Sequence, residues 1–356
     1  VLRNWQGFRA RLLDAAPEPT DGARRLIASK DFDGSAHIMN RREFMQGTSA
    51  LATWAALSGP VKAAGNAPSR RAFKLALTPG SIGVNVASQR ELNALAQKHE
   101  FEAVEPRSAE IAVMSVAQIA EMKADLASKN LVWAAAGLTV DFRKDNATFR
   151  DGLAQLPKIA AGLQSAGVKR VGTWLGPSSD ELTYRANFRQ HVERLGEVAR
   201  ILNDHDLRLG LEYVGTQLLL VGKRYPFVHT LAETRELIAE IGTGNVGLVL
   251  DSWHWWTAGD SAGDLLTLQN SDVVSVDLND APKDILKSHQ KDNSRELPAA
   301  TGVIDVAAFL GSLMKIGYDG PMRAEPFNQA INALDNDSAC AAASTSLRNA
   351  IRLITV

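Results

Sequence analysis

The sequence predicts a single (β/α)8 TIM barrel, an α/β fold. Three observations point to it. From Arg70 onward, short apolar runs alternate with helical patterns, the order that builds a parallel sheet with right-handed crossovers. Eight such units in roughly 285 residues match the size of one barrel. The loop after the first run, "TPGSIGVN", lacks the G-x-G-x-x-G order of an open dinucleotide-binding sheet.

The strands expected, in order, are "FKLAL" (73–77), "FEAVEP" (101–106), "LVWAAAGL" (131–138) and "KRVGTWLG" (169–176). "RLGLEYVG" (208–215), "VGLVLDS" (246–252), "VVSVDLND" (273–280) and "PMRAEPF" (321–327) follow. Between them, "SQRELNALAQKH", "FRQHVERLGEVARILNDH", "TLAETRELIAEIG" and "VIDVAAFLGSLMKIG" place apolar residues at helical spacing. Several of these end at Gly or Asn, the residues a left-handed C-cap requires. The barrel is assigned to residues 70–356.

Composition narrows the function. The 356 residues carry 39 Lys and Arg against 40 Asp and Glu. That balance gives no electrostatic footprint for nucleic acid, and none is expected as a partner. The single cysteine, Cys340, excludes an intrachain disulfide and every cysteine-rich metal site.

Residues 39–64, "MNRREFMQGTSALATWAALSGPVKAA", have the layout of a twin-arginine signal peptide. Arg41-Arg42 and Phe44 precede an uncharged stretch, a Gly-Pro break and a small-residue cleavage-like site. The apolar run is short of the roughly 20 residues a membrane span needs. The expected destination is the periplasm or the medium, with the twin-arginine translocase as a transient partner. Residues 1–38 lack clear periodicity and are read as an upstream extension, the natural start being expected at Met39.

The last four strands each carry an acid near the C-terminal end, where barrel chemistry sits: Glu212, Asp251, Asp277 and Glu325. Taken singly, each has an ordinary reading, such as Asp251 capping the next helix. Together, four like charges around one mouth raise one another's pKa unless a cation compensates. A divalent metal is the economical explanation. Oxygen-only ligands suit Mg²⁺, Mn²⁺ or Ca²⁺ over Zn²⁺ or Cu²⁺, and folding before export favours capture of Mn²⁺. Trp174 ends the fourth strand, and Trp253, Trp255 and Trp256 follow Asp251. Aromatic faces of this kind pack on sugar C–H faces, or simply fill the space between barrel and helices. Arg295, in "KDNSRELP", either reaches a substrate oxygen or is a solvated loop residue.

Read together, "LGLEYVG", "NVGLVLDSWHWW", "VVSVDLNDAP", "LPAATGVIDVAAFLGSLMKIGYDGP" and "AEPF" resemble the sugar phosphate isomerase/epimerase family. That family belongs to the xylose-isomerase-like TIM barrels, the AP endonuclease 2 superfamily. The resemblance runs from about Phe73 to the C-terminus and is densest after Leu209. It implies a metal site of Glu, Asp, His and Glu. Glu212, Asp251 and Glu325 match three positions, whereas Asp277 stands where the family has histidine. This departure leaves open an all-carboxylate site or a weakened one. The resemblance further implies that Glu212 and Glu325 form an acid/base pair. It matches His254 to a substrate-contacting histidine and Glu105 to a glutamate of the active-site mouth. Asp280 corresponds to the family's strand-end acid, orienting a loop or a substrate hydroxyl.

The function implied is a metal-dependent isomerase or epimerase of a free sugar, keto-sugar or polyol, working by α-proton abstraction through an enediolate. A lyase or hydrolase of oxidised (3-keto) glycosides begins with the same step. A metal-free periplasmic sugar-binding protein is the alternative that Asp277 raises. A zinc nuclease of the endonuclease-IV kind is disfavoured by only seven histidines. A homo-oligomer is left open.

Overall fold

The computed structural model describes residues 71 to 354. The chain divides into two units, Val1–Ala64 and Gly65–Val356. The segments read above as upstream extension and export signal, 1–38 and 39–64, lie outside the described residues.

The described chain forms a curled, nine-stranded parallel sheet surrounded by helices. Its strands are β1 (Lys74–Leu77), β2 (Ala103–Val104), β3 (Val132–Trp133), β4 (Ala136–Gly137) and β5 (Arg170–Trp174). β6 (Arg208–Glu212), β7 (Val246–Asp251), β8 (Val273–Leu278) and β9 (Pro321–Ala324) complete it. β1 pairs with both β2 and β9, so first and last strands are neighbours. β3 pairs with β2 and β4 pairs with β5, so the sheet's two ends are halves of one stave, broken at Ala134–Ala135. The eight apolar runs are therefore eight barrel staves, with "LVWAAAGL" supplying two short strands instead of one.

The crossovers include α1 (Gln89–Lys98), α2 (Val116–Ser128), α3 (Asn146–Ala166), α4 (Tyr184–Asn203), α5 (Leu231–Ile241), α6 (Ser252–Ala258) and α7 (Val306–Lys315), and α8 (Asn336–Arg352) follows the last strand. Local chemistry sets their ends. Ser88 Oγ accepts from Glu91 N at the start of α1, and Ser115 and Gln118 form a capping box on α2. Gly167 and Gly242 close α3 and α5 with φ of 85° and 64°, a region open to glycine without strain.

Apolar side chains of the strands and of the inner helix faces form the cores between sheet and helices. Leu209, Leu211, Leu195, Val198 and Phe149 lie in one, and Leu248, Leu250, Val276, Leu278 and Phe309 in another. Register then brings the acids together. Asp277 of β8 pairs directly with Asp251 of β7 on one side and with Arg323 of β9 on the other. Glu212 of β6 is level with Trp174 of β5.

Candidate active site

A cavity of about 1420 Å³ opens at the C-terminal ends of the strands, where TIM barrels carry their chemistry. Glu105, Trp174, Glu212, His254, Asp277, Arg295 and Glu325 all line it. One oxygen from each of Glu212, Asp251, Asp277 and Glu325 lies within 4.8 Å of the other three, and all four residues are buried. Glu212, Asp251 and His254 form a second, overlapping group.

Each acid is placed by its strand and held by different partners. Asp251, the last residue of β7, caps α6: its Oδ1 accepts from the backbone N–H of Trp253 at 2.6 Å and of His254 at 3.2 Å. Its Oδ2 accepts from Asn279 Nδ2 at 3.0 Å and from Arg295 Nη1 at 2.7 Å. The ordinary capping role and the site role thus coexist in one side chain. Asn279 also accepts from Glu325 N at 2.9 Å through its Oδ1, tying β7, β8 and β9 together at the mouth.

Two guanidinium groups occupy the acidic cluster. Arg295 is 1% exposed, which rules out the solvated-loop reading. It packs over the Trp253 and Phe327 rings. Its Nη1 donates to Asp251 and, at 3.3 Å, to Glu325 Oε2, while Nη2 donates to Asp292 Oδ1 at 2.7 Å. With Nε on Asp292 O, every nitrogen of the group is committed to protein. The second guanidinium belongs to Arg323. Its Nε donates to Asp277 Oδ1 at 2.6 Å and its Nη2 to Asp277 Oδ2 at 2.8 Å, a bidentate pair. Nη2 also reaches Glu325 Oε1 at 2.6 Å.

Glu212 stands apart from the other three acids. Its Oε1 is buried without a hydrogen-bond partner, and His254 Nε2 lies 3.8 Å away. Burial, followed by repulsion from Glu325, Asp277 and Asp251, holds its carboxyl well above the usual carboxylate range. Burial also raises Glu325, to about 8, with Asp277 and Asp251 adding repulsion against the pull of Arg323 and Arg295. Glu105 is raised by burial too, and its Oε2 has no partner. Arg107 pairs with Glu110, and Lys74 is exposed at the start of β1.

His254 sits on α6 beside Asp251. Burial, and then Arg295, push its imidazole down to about 3, so it is neutral at physiological pH. Its Nδ1 accepts from Gly215 N at 3.3 Å. A side chain at Gly215 would place a Cβ 2.4 Å from His254 O, so glycine is needed for the close approach of β6's end to α6.

Asp280 does not line the cavity. Its Oδ1 accepts from Ala281 N and Ile304 N, and its Oδ2 from Thr301 N and Gly302 N. Of its two expected roles, it fills that of loop organiser. With four backbone donors on its carboxylate, it has no acceptor site left for a substrate hydroxyl.

Among the tryptophans, Trp253 and Trp255 are buried packing residues. Trp174 is 48% exposed at the cavity wall, with the Arg143 guanidinium 4.2 Å over its ring. Arg323 and Arg143 were not singled out from sequence. The signal for Arg323 was present in "PMRAEPF": an arginine two residues before a strand-end glutamate shares its face.

The donor set fits a divalent cation on this structure's own terms. With all four carboxyls ionised, the cluster carries more negative charge than its two guanidiniums balance, an excess that one divalent ion would cancel. The orphaned Glu212 oxygen marks where a donor is missing its partner. The oxygen ligands belong to hard cations.

Comparison with known proteins accords with this geometry. A family model described as xylose isomerase-like TIM barrel matches residues 94–350. A xylose isomerase domain protein from Alicyclobacillus acidocaldarius superposes with a TM-score of 0.70 at 30% identity, covering 80% of this chain and all of that one. An inosose isomerase from Halalkalibacterium halodurans is 26% identical over 151 residues, 42% of this chain and 50% of its own. A 3-dehydroshikimate dehydratase from Pseudomonas aeruginosa is 27% identical over 174 residues, 48% of this chain and 25% of its own. The match covers between 20% and 62% of the length of the curated relatives.

Proposed function

The chain belongs to the xylose isomerase-like TIM barrel family, and from that premise we propose that it is a sugar isomerase or epimerase acting by α-proton abstraction. The observation that carries this reading is the pairing of Glu212 and Glu325. Their oxygens approach within 4.8 Å at the cavity floor, and both carboxyls hold protons more tightly than usual. A carboxyl whose proton affinity is raised by burial and neighbouring acids can take a carbon-bound proton and return it.

The substrate is a free sugar, keto-sugar or polyol. One glutamate takes the proton from the carbon beside the carbonyl, and the other delivers a proton to the neighbouring position or opposite face. Arg295 keeps Asp251 and Glu325 in place without contacting solvent. His254 stays neutral between the Gly215 N–H at its Nδ1 and Arg295 Nη2, 3.1 Å from its Nε2, and fixes the wall beside Glu212. The half-exposed face of Trp174 fits a sugar ring, and Glu105 faces the same space. Glu212, Asp251, Asp277 and Glu325 would hold a divalent cation, Mn²⁺ or Mg²⁺ by their oxygen-only chemistry, which when bound stabilises charge on a substrate oxygen. Elimination of a leaving group from an oxidised glycoside would use the same proton abstraction. Likeness to a dehydratase keeps that reaction as the second reading.

Residues 39–64 lead us to propose export by the twin-arginine route to the periplasm or medium. An Arg41→Lys/Arg42→Lys precursor retained in the cytoplasm is the expected result.

The reaction is tested by incubating the metal-loaded protein with a panel of keto-sugars, inososes and 3-keto-glucosides in D2O. Deuterium should enter the carbon next to the carbonyl, and EDTA should abolish the exchange. Absence of exchange across the panel, with Mn²⁺ and Mg²⁺ present, would refute the proposal.

A further inference from the structure

We propose that Arg323 is a substrate-binding residue whose free Nη1 takes the substrate oxygen on which negative charge collects, and that Asp277 positions it. The assignment deepens the proposed reaction and rests on the same site. It comes from the hydrogen-bond inventory of one guanidinium. Nε and Nη2 are both occupied, by Asp277 and Glu325. Among the described residues, no hydrogen bond uses Nη1. The side chain is 30% exposed, whereas its partner Asp277 is 0% exposed, so the pair is buried on the acid's side and open on the arginine's. The opening faces the cavity, whose lining includes Arg323 together with Glu105, Glu212 and Glu325.

This separates the two arginines. Arg295 is enclosed and spent on protein partners, whereas Arg323 keeps an unpaired edge directed at the space a substrate must fill. The bidentate grip of Asp277 fixes the plane of the guanidinium, and the bond to Glu325 sets it beside the proton-transferring carboxyl. Asp277 and Arg323 are register partners on adjacent parallel strands, so the edge is held by the rigid wall of the barrel. A fixed cation aimed at developing charge stabilises it with no reorganisation at the moment of reaction. Guanidinium does this with a planar pair of donors that an ammonium group cannot copy.

The chemical class follows. The group bound at this end is an oxygen that is, or becomes, anionic: the carbonyl oxygen of a ketose passing to an enolate, or a carboxylate standing in for it. The probes are gluconate, an open-chain polyol with a fixed carboxylate, and glucitol, the same chain without one. Binding of both is measured by calorimetry to the full chain and to the Arg323→Gln, Arg323→Lys and Asp277→Asn variants. Wild type should prefer gluconate by at least about tenfold. Arg323→Gln should lose that preference, gluconate binding falling far more than glucitol binding, and Arg323→Lys should keep part of it. Asp277→Asn should lower it through misplacement. Since Arg323→Gln leaves Asp277 buried and unpaired, the double variant Asp277→Asn/Arg323→Gln, uncharged at both positions, serves as a folded control and should also lack the preference. Equal preference in wild type and in the double variant, or none in wild type, overturns the assignment. Loss of preference alongside no deuterium exchange in wild type would leave Arg323 an anion-binding residue and remove the isomerase reading.

Discussion

Arg295 bonds Asp251 at 2.7 Å across 44 residues of sequence, and neither side chain is more than 1% exposed. A charge pair this deep is maintained because each partner neutralises the other and its neighbours. Removing one side leaves an uncompensated buried charge. Arg295→Met is therefore expected to cost about 3–5 kcal/mol of stability. Because Asp251 then lacks its cationic partner while Arg323 stays on Asp277 and Glu325, millimolar Mn²⁺ should restore part of the loss. Urea unfolding with EDTA or Mn²⁺ measures both effects, and a loss below about 1 kcal/mol would contradict the neutralising role.

Glu212→Gln should separate chemistry from stability. The carboxyl is buried, its Oε1 lacks a partner and its proton affinity is raised, so an uncharged amide removes repulsion from Glu325, Asp277 and Asp251. The EDTA-treated variant should unfold no earlier than wild type. Its deuterium exchange should fall by about 10² to 10⁴, the usual contribution of a general acid or base, and Glu325→Gln should show a comparable fall. Mn²⁺ at a hundred times its Kd should stabilise wild type by about 2.7 kcal/mol and Glu212→Gln by clearly less. A thermal shift equal in the two would exclude Glu212 as a cation ligand.

Trp174→Ala tests the cavity wall. The indole is half-exposed, so its loss should change stability by no more than about 1 kcal/mol, including the Arg143 cation–π contact. If the ring packs on a sugar, KM should rise several-fold while kcat holds. An unchanged KM across the substrate panel would confine Trp174 to supporting Arg143.

His191 predicts the acid limit of the fold. Its ring lies between Phe142 and Phe227, at centroid distances of 5.4 and 4.6 Å. Its Nδ1 bonds Asn187 O at 2.9 Å, while Nε2 has no partner. Burial, with Arg143 and Arg194 nearby, lowers its pKa to about 4. An unfolded histidine titrates near 6.5, so between about 4 and 6.5 the unfolded chain binds more protons than the folded one. Stability contributed by the neutral ring is thus complete above 6.5 and lost as pH falls toward 4. A shift of this size corresponds to about 3 kcal/mol. His191→Phe should lose less stability than wild type between pH 7 and pH 4.5 in chemical denaturation. Parallel curves for the two proteins would count against this group as the cause.

The amino-acid sequence by itself determined the strands, the barrel and the strand-end acids, because those are written in local periodicity and in the position of a carboxylate at the end of an apolar run. Glu212, Asp251 and Glu325 each stand where that pattern puts them. It was weaker where periodicity is weak. The stave at 131–138 breaks at Ala134–Ala135, and α8 buries small residues such as Ala339, Ala343 and Ala350, whose hydrophobic signal is slight. What neutralises the acids was decided only by tertiary structure. Arg323 lies 46 residues from Asp277 in sequence and directly beside it in the sheet. Arg295 enters the cluster from a loop whose path no periodicity encodes. Asp280, legible as an acid at a strand end, spends its whole carboxylate on backbone donors brought to it by that same loop. Charge compensation depends on distance in space, and strand register and loop return set that distance after the local pattern has been read.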